Sequence, residues 1–254
     1  MASSTIAEPH SHTHAQDEDP DDLIPTAVPS YKTNFLQACL SAQVLTFGTF
    51  TLKSGRVSPY FFNAGLFHRA SLLGALSTAF AQTLLTHSSI DPTFKFDILF
   101  GPAYKGIPLA TATIDKLASL SPQAYSEVSY SFNRKEIKDH GEGGVIVGAS
   151  LKGKRVVIID DVITAGTAMR EAIGIINAQG GILVGVVVAV DRMERVRDDL
   201  TQTTSAIGEV KREFGVPVLS IIDLNDLIGL LGTLGNEEDR ERVEEYKERY
   251  GASE

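Results

Sequence analysis

The chain alternates short, wholly apolar runs with longer stretches in which apolar residues recur every three to four positions. Residues 156–159 are four β-branched residues in succession, which predicts a strand buried on both faces. Comparable runs at 96–100, 182–190 and 218–222 predict three more strands. Helical spacing predicts helices over 105–117, 168–178 and 205–214. An earlier amphipathic helix is predicted over 31–45, through Phe35, Leu36, Cys39, Leu40 and Val44. This alternation gives an α/β class with a mostly parallel central sheet covered by helices on both faces. Such sheets bind ligands at the carboxyl ends of their strands. Residues 1–30, rich in Ser, His, Asp and Pro and without periodicity, are expected to form a disordered tail. The folded unit is then 31–235, and 236–254, dense in Glu and Arg, reads as a charged terminal helix or tail.

The strand at 156–160 ends in two adjacent acids, Asp160 and Asp161, which are costly to bury unless something satisfies them. A loop of small residues follows, and a helix starts near Ala168 with Thr167 as its N-cap. Gly166 lets the backbone come close to a ligand, and free N–H groups at a helix start attract a phosphate. Carboxylates only accept hydrogen bonds, so they suit the hydroxyls of a ribose. The combination predicts a sugar-phosphate site. There is no Walker A pattern, and no Gly-x-Gly-x-x-Gly follows a strand, which argues against nucleoside triphosphates and dinucleotides.

The formal net charge of −9 argues against nonspecific binding to nucleic acid or to an anionic membrane. An anionic substrate must therefore meet a local basic cluster, and SFNRKEIKDHGEGG at 131–144 supplies one. Taken alone it is a charged surface loop with glycine hinges, or a mobile lid over an anion. FGPAYKGIP at 100–108 is a tight turn into a helix where backbone N–H groups and Lys105 can hold a diphosphate. FTLKSGRVSPYFFNAG at 50–65 sets a basic turn beside three aromatics, a surrounding suited to an anionic planar ring. His10, His12 and His14 alternate in the tail without a defined frame to hold a metal. Cys39 is the only cysteine, so no intrachain disulfide forms. The amino terminus has no secretory signal pattern, and the longest apolar run is half a membrane span, so a cytoplasmic location is expected.

The string VVIIDDVITAGTA at 156–168 resembles the phosphoribosyl diphosphate (PRPP) motif of type I phosphoribosyltransferases, and its TAGTA ending resembles the orotate branch. The segments at 50–65, 100–108 and 131–144, with Asp191-Arg192 after the 182–190 run, extend that resemblance over about 31–231. It implies the type I phosphoribosyltransferase fold, with a small N-terminal hood and a flexible catalytic loop. It further implies that PRPP is held by Lys53, Tyr104, Lys105, Arg134, Lys135, Lys138, His140, Asp160, Asp161, Val162, Ile163, Thr164, Ala165, Gly166, Thr167 and Ala168. Catalytic roles fall by resemblance to Arg134, Lys138, His140, Asp160 and Asp161. Phe61 and Phe62 would flank orotate, Thr164 would touch it, and Arg192 would take its carboxylate, for which a guanidinium fork is well shaped.

The implied reaction is orotate plus PRPP giving orotidine 5′-monophosphate and pyrophosphate. Mg²⁺ is expected to be held mainly through PRPP and water, with no direct protein ligand. A homodimer with shared active sites is implied, because in the family the loop crosses the interface. Nothing remains after the last motif for a decarboxylase domain, so a monofunctional enzyme is expected. Two alternatives stay open: a phosphoribosyltransferase for a different base, and a noncatalytic PRPP-binding regulator on the same fold.

Overall fold

The computed structural model describes residues 28–138, 144–163, 166–196 and 203–252. Helix α1 (Ser30–Ser41) leads into a hairpin of β1 (Leu45–Thr51) and β2 (Val57–Phe62), and a 3-10 turn (Ala64–Leu66) passes the chain to α2 (Ala70–Ile90). The main unit follows as β3 (Ile98–Phe100), α3 (Gly106–Leu120), α4 (Pro122–Tyr125), β4 (Ser129–Lys138), β5 (Gly144–Gly148) and β6 (Arg155–Val162). It continues through α5 (Thr167–Ala178), β7 (Ile182–Asp191), α6 (Ala206–Phe214), β8 (Val218–Asp223), α7 (Leu224–Leu234) and α8 (Glu237–Tyr250). The strands order as β5-β4-β3-β6-β7-β8, parallel except for the β4–β5 pair, and β1 and β2 form a separate antiparallel sheet.

The burial of β6 explains the sheet. Val156 and Ile158 face a core with Met169, Ile173 and Ile176 of α5 and with Ile207 and Val210 of α6. Val157 and Ile159 face the opposite core, with α1, α2, α3, α7 and α8. All four are fully buried, and burying each such side chain is worth about 1.5–3 kcal/mol. From β3 the chain crosses to β4 on one side, whereas β6 leads to β7 on the other. The order thus reverses between β3 and β6, and a crevice opens where their two carboxyl ends meet. Among the described residues, no helix is long and apolar enough to cross a membrane.

Several expectations shift. Helix α1 stops at Ser41 rather than near 45, because Gln43 takes a left-handed backbone with φ of 58°. The Val44 amide donates to Cys39 O at 2.8 Å and the Gln43 amide to Leu40 O, closing the helix without the glycine that usually marks such a stop. Helix α2, unassigned from sequence, buries Leu72, Leu76, Phe80 and Leu84 at i, i+4 spacing. Residues 131–138, read as part of a loop, are strand: Ser131, Phe132 and Asn133 pair with β5, so the ladder satisfies their backbone groups. Gly166, not Thr167, is the N-cap of α5. Helix α8 is charged yet not wholly solvated, since Val243 and Tyr246 are buried in the larger core.

Asp97 staples the amino ends of β3 and β6. Its carboxylate accepts hydrogen bonds from the Arg155 backbone amide (2.8 Å), Nε (3.1 Å) and Nη2 (2.7 Å). The guanidinium bonds hold the Asp97 carboxyl down to about 2. A depressed folded-state value means stability that is present above the ordinary carboxylate range and lost as pH falls towards 2. Asp97→Asn should therefore lower the melting temperature at pH 7 by a few degrees, about 1 kcal/mol for a part-exposed pair. The gap from wild type should close as pH drops from 5 to 2; a gap unchanged across that range in thermal melts would refute the staple.

Candidate active site

Gly101 and Gly106 bring the end of β3 and the start of α3 into contact. A Cβ on Gly101 would lie 2.0 Å from Gly106 O, and one on Gly106 would lie 2.7 Å from Gly101 C. This crowding admits only glycine and forces residues 102–105 outward as a compact loop at the helix start. Tyr104 projects from it, 72% exposed, and the Ala103–Tyr104 peptide is cis. Asn133 Oδ1 accepts a hydrogen bond from Ala103 N at 2.9 Å, tying the loop to β4. Lys105 reaches across the crevice, and its Nζ lies 2.8 Å from Asp161 Oδ2.

On the opposite rim, Asp160 and Asp161 are within the last turns of β6. Asp161 N donates to Asp160 Oδ1 and Val162 N to Asp161 Oδ1, each at 2.9 Å. Burial, then the neighbouring Asp161 charge, push the Asp160 carboxyl up to about 6. Ile163 is buried, and Gly166 enters α5 with φ of 74°, a left-handed conformation that favours glycine. Thr167 and Ala168 are exposed at the helix start. The α5 amino end and its dipole thus face the same crevice as Lys105.

The segment that follows β2 closes a cavity of about 360 Å³ over this crevice. Ala64, Gly65 and Phe67 line it from above, Leu76 and Phe80 from α2, Leu109 from α3, and Lys105 and Asp161 supply its polar end. Phe62 packs against Phe67 with ring centroids 6.0 Å apart, whereas Phe61 stacks on Phe50 at 5.5 Å and is 40% exposed. Neighbouring strand residues face opposite sides, so the two rings do not share one face. Lys53 is exposed in the turn joining β1 and β2.

Arg134 is half-buried and Lys135 exposed on β4. Lys138 is described through its backbone, which pairs with Gly144 at the end of the β4–β5 arm. His140, Thr164 and Ala165 lie outside the described residues. Arg192 does not line the cavity. It lies over the Tyr60 ring, 5.2 Å from its centroid, and Nε donates to Glu194 Oε1 at 2.7 Å. Sequence reasoning gave no role to Asn133, Arg56 or Glu194. Asn133 had no legible signal, because its inward placement follows from the β4–β5 pairing that the charged string does not reveal.

A family profile described as the phosphoribosyl transferase domain matches residues 77–218. The chain is 55% identical over 232 residues to an orotate phosphoribosyltransferase of Neurospora crassa, covering 89% of this chain and 99% of that protein. It is 50% identical over 230 residues to one of Kluyveromyces lactis, covering 91% of this chain and all of that protein. Among solved structures it is similar to an orotate phosphoribosyltransferase of Francisella tularensis, with a TM-score of 0.73 and 39% identity over 86% of this chain and 99% of that one. A Leishmania donovani UMP synthase shares the fold, with a TM-score of 0.64 at 22% identity.

Asp160 carries a testable cost. A carboxyl whose folded-state value is raised contributes stability at low pH that is lost as pH rises through about 6. Asp160→Asn keeps the hydrogen-bond acceptor and removes the charge. Without substrates, the variant should match wild type near pH 4 and melt higher at pH 8, by roughly 1–3 kcal/mol. Thermal melts across that range decide it; a variant less stable than wild type at pH 8 refutes the argument.

Proposed function

This chain belongs to the phosphoribosyl transferase domain family and, within it, to the orotate phosphoribosyltransferases, and from that membership we propose how its residues divide the reaction. The enzyme transfers a phosphoribosyl group from PRPP to orotate, forming orotidine 5′-monophosphate and pyrophosphate in pyrimidine (UMP) biosynthesis. The observation that carries the assignment of residues is the Lys105–Asp161 contact across the crevice. It brings a cation suited to a diphosphate and carboxylates suited to ribose hydroxyls together on the two rims of one crevice.

In this reading, Asp160 and Asp161 accept hydrogen bonds from the ribose hydroxyls. Residues 162–168 and the α5 amino end cradle the 5′-phosphate, with Thr164 also touching orotate. Tyr104 and Lys105 hold the pyrophosphate. Lys53 reaches PRPP from the turn joining β1 and β2, and of the two β2 aromatics Phe62, packed on the cavity-lining Phe67, is assigned to the orotate pocket. The ring nitrogen of orotate bonds to the anomeric carbon as the carbon–oxygen bond to the diphosphate breaks, and that electron pair leaves with pyrophosphate. Positive charge grows on the ribose and negative charge on the leaving group, where Arg134, Lys135, Lys138 and His140 stabilise it electrostatically. Closure of their arm excludes water from the ribosyl centre.

We also assign Mg²⁺ to the reaction. Among the described residues no group of three His, Cys, Asp or Glu side chains could cage a metal, while the two aspartates present hard oxygen donors beside the diphosphate loop. That donor set fits an ion held mainly by phosphate oxygens and water, which keeps most of its hydration. Bound there, it would neutralise charge on the diphosphate. A cytoplasmic location belongs to the same proposal, supported by Cys39, a lone thiol kept buried and pushed up to about 12.

Purified protein should consume orotate and release pyrophosphate only when PRPP is present. In Arg192→Ala, use of orotate should weaken by roughly 30-fold or more, the cost of losing a charge-assisted fork in a closed site. PRPP affinity should stay nearly unchanged, and Arg192→Lys should restore only part of the loss. Equal damage to both substrates, measured through both Michaelis constants and direct PRPP binding, would place Arg192 on the phosphate side instead.

We further propose a homodimer whose arms act in trans, from the similarity of 131–144 to a loop that crosses the interface in the family. Lys138→Ala and Asp161→Asn should each be inactive alone. Mixed dimers, confirmed by tag pull-down, should regain up to about half of wild-type activity, because one site then carries both lesions and the other none. Confirmed mixed dimers without activity would show that each arm serves its own subunit.

A further inference from the structure

Arg192 is supported more elaborately than an ordinary strand-end arginine. Strand β7 ends at Asp191, and two residues later Met193 adopts a left-handed backbone with φ of 51°, which is unfavourable for a side chain other than glycine. That reversal returns Glu194 towards Arg192. Three contacts hold the turn: Met193 N donates to Asp191 Oδ1 at 2.8 Å, Ala252 N donates to Met193 O at 2.8 Å, and Arg195 N donates to Tyr250 O at 2.9 Å. Glu194 also forms an isolated bridge with Gly251. The turn is therefore stitched to the end of α8 and the residues just after it, well beyond the 77–218 family match.

Glu194 uses its two oxygens on two arginines. Arg192 Nε and Nη2 lie 2.7 and 2.6 Å from Oε1, and Arg56 Nη1 lies 3.3 Å from Oε2. All three side chains are largely buried, with relative exposures of 17% for Arg192, 15% for Glu194 and 6% for Arg56. Arg192 also stacks on Tyr60, Tyr60 meets Tyr246 edge-on at 6.2 Å, and Arg56 lies 5.0 Å from the Tyr250 ring centroid. Glu194 Oε1 thus accepts the hydrogen bond of Arg192 Nε, while Arg192 Nη2, at ion-pair distance from the same oxygen, is buried with no hydrogen-bond partner among the described residues. A buried guanidinium without a counter-ion is costly, so an empty pocket needs such a carboxylate.

We propose that Glu194, anchored by the C-terminal strap at 250–252, is a positioning residue that fixes Arg192 with its outer edge free for the orotate carboxylate. The proposal rests on the reading of Arg192 as the carboxylate partner. It also gives the C-terminal segment a part in base recognition, since the strap and the tyrosines of α8 hold the same group.

The test is a double-mutant cycle of Glu194→Gln and Arg192→Ala, reading both Michaelis constants and turnover. Glu194→Gln should raise the orotate Michaelis constant about tenfold or more, one decade corresponding to ~1.4 kcal/mol, and leave that for PRPP within about twofold. On the Arg192→Ala background the same change should add nothing, because its effect runs through Arg192. A purely structural Glu194 would act equally on both backgrounds and on both substrates, and that result overturns the proposal. Tighter orotate use in Glu194→Gln overturns it too, since Glu194 would then compete with substrate. If Arg192→Ala alone spares orotate, the pocket assignment fails; if it impairs orotate while Glu194→Gln changes nothing, only the positioning role fails. Should Glu194→Gln not fold, Glu194→Asp, which keeps the charge on a shorter arm, must raise the orotate constant alone; equal rises for both substrates, or none, overturn the proposal.

Discussion

A carboxylate at the end of a strand buried on both faces must find a cation, and here the cation comes from the loop of the neighbouring strand. Asp161 sits where β6 leaves the core, and Lys105 meets it from the start of α3 at 2.8 Å. That meeting depends on Gly101 and Gly106, whose backbones touch so closely that no other residue fits, and on Asn133, which pins the same loop to β4. Three adjacent strands are thereby registered at one point. Lys105 remains 66% exposed, so the pair itself contributes roughly 1 kcal/mol or less. Its weight is positional: both groups are held at ligand distance, and neither is bound tightly enough to resist displacement by a diphosphate and a ribose.

The parallel half of the molecule was legible because its signals are local. Continuous β-branched runs predict doubly buried strands, and β6, β7 and β8 lie within a residue or two of the expected bounds. Helices α3, α5 and α6 follow the same logic, with Ser205 capping α6 through its hydroxyl. The acids and glycines of the phosphate loops were legible for a chemical reason, since few other arrangements of those residue types at a strand end make sense. Their assignment to PRPP and orotate, however, came from resemblance, not from spacing.

What escaped the sequence is long-range or lacks its usual marker. Helix α1 ends on Gln43 where glycine is the common stop signal, so periodicity overran it. The strand character of 131–138 depends on pairing with β5, a partner that a charged, glycine-flanked string does not advertise. Alternation along β2 was also hidden by three consecutive aromatics, and only the pairing with β1 shows that Phe61 and Phe62 turn opposite ways. Arg192 could be nominated from its position after β7 and Glu194 lies two residues on, but their other companions come from residues 56, 60 and 246–252, which nothing in the linear order connects.

The site is placed where the fold can bear its cost. Holding the half-buried Asp160 beside Asp161 works against the folded state, as its raised carboxyl value implies. The same strand offsets this four residues earlier. Val156, Val157, Ile158 and Ile159 together bury enough apolar surface to contribute about 6–12 kcal/mol before chain entropy is counted. A doubly wound sheet concentrates apolar burial in the strand centres and leaves polar groups at the carboxyl ends, so the strongest segment of the chain lies next to its most strained chemistry. That adjacency explains why acids able to grip a ribose sit at the end of a strand buried on both faces rather than on an exposed helix. There, the same carboxylates would cost nothing to hold, but water would compete for every hydrogen bond they make.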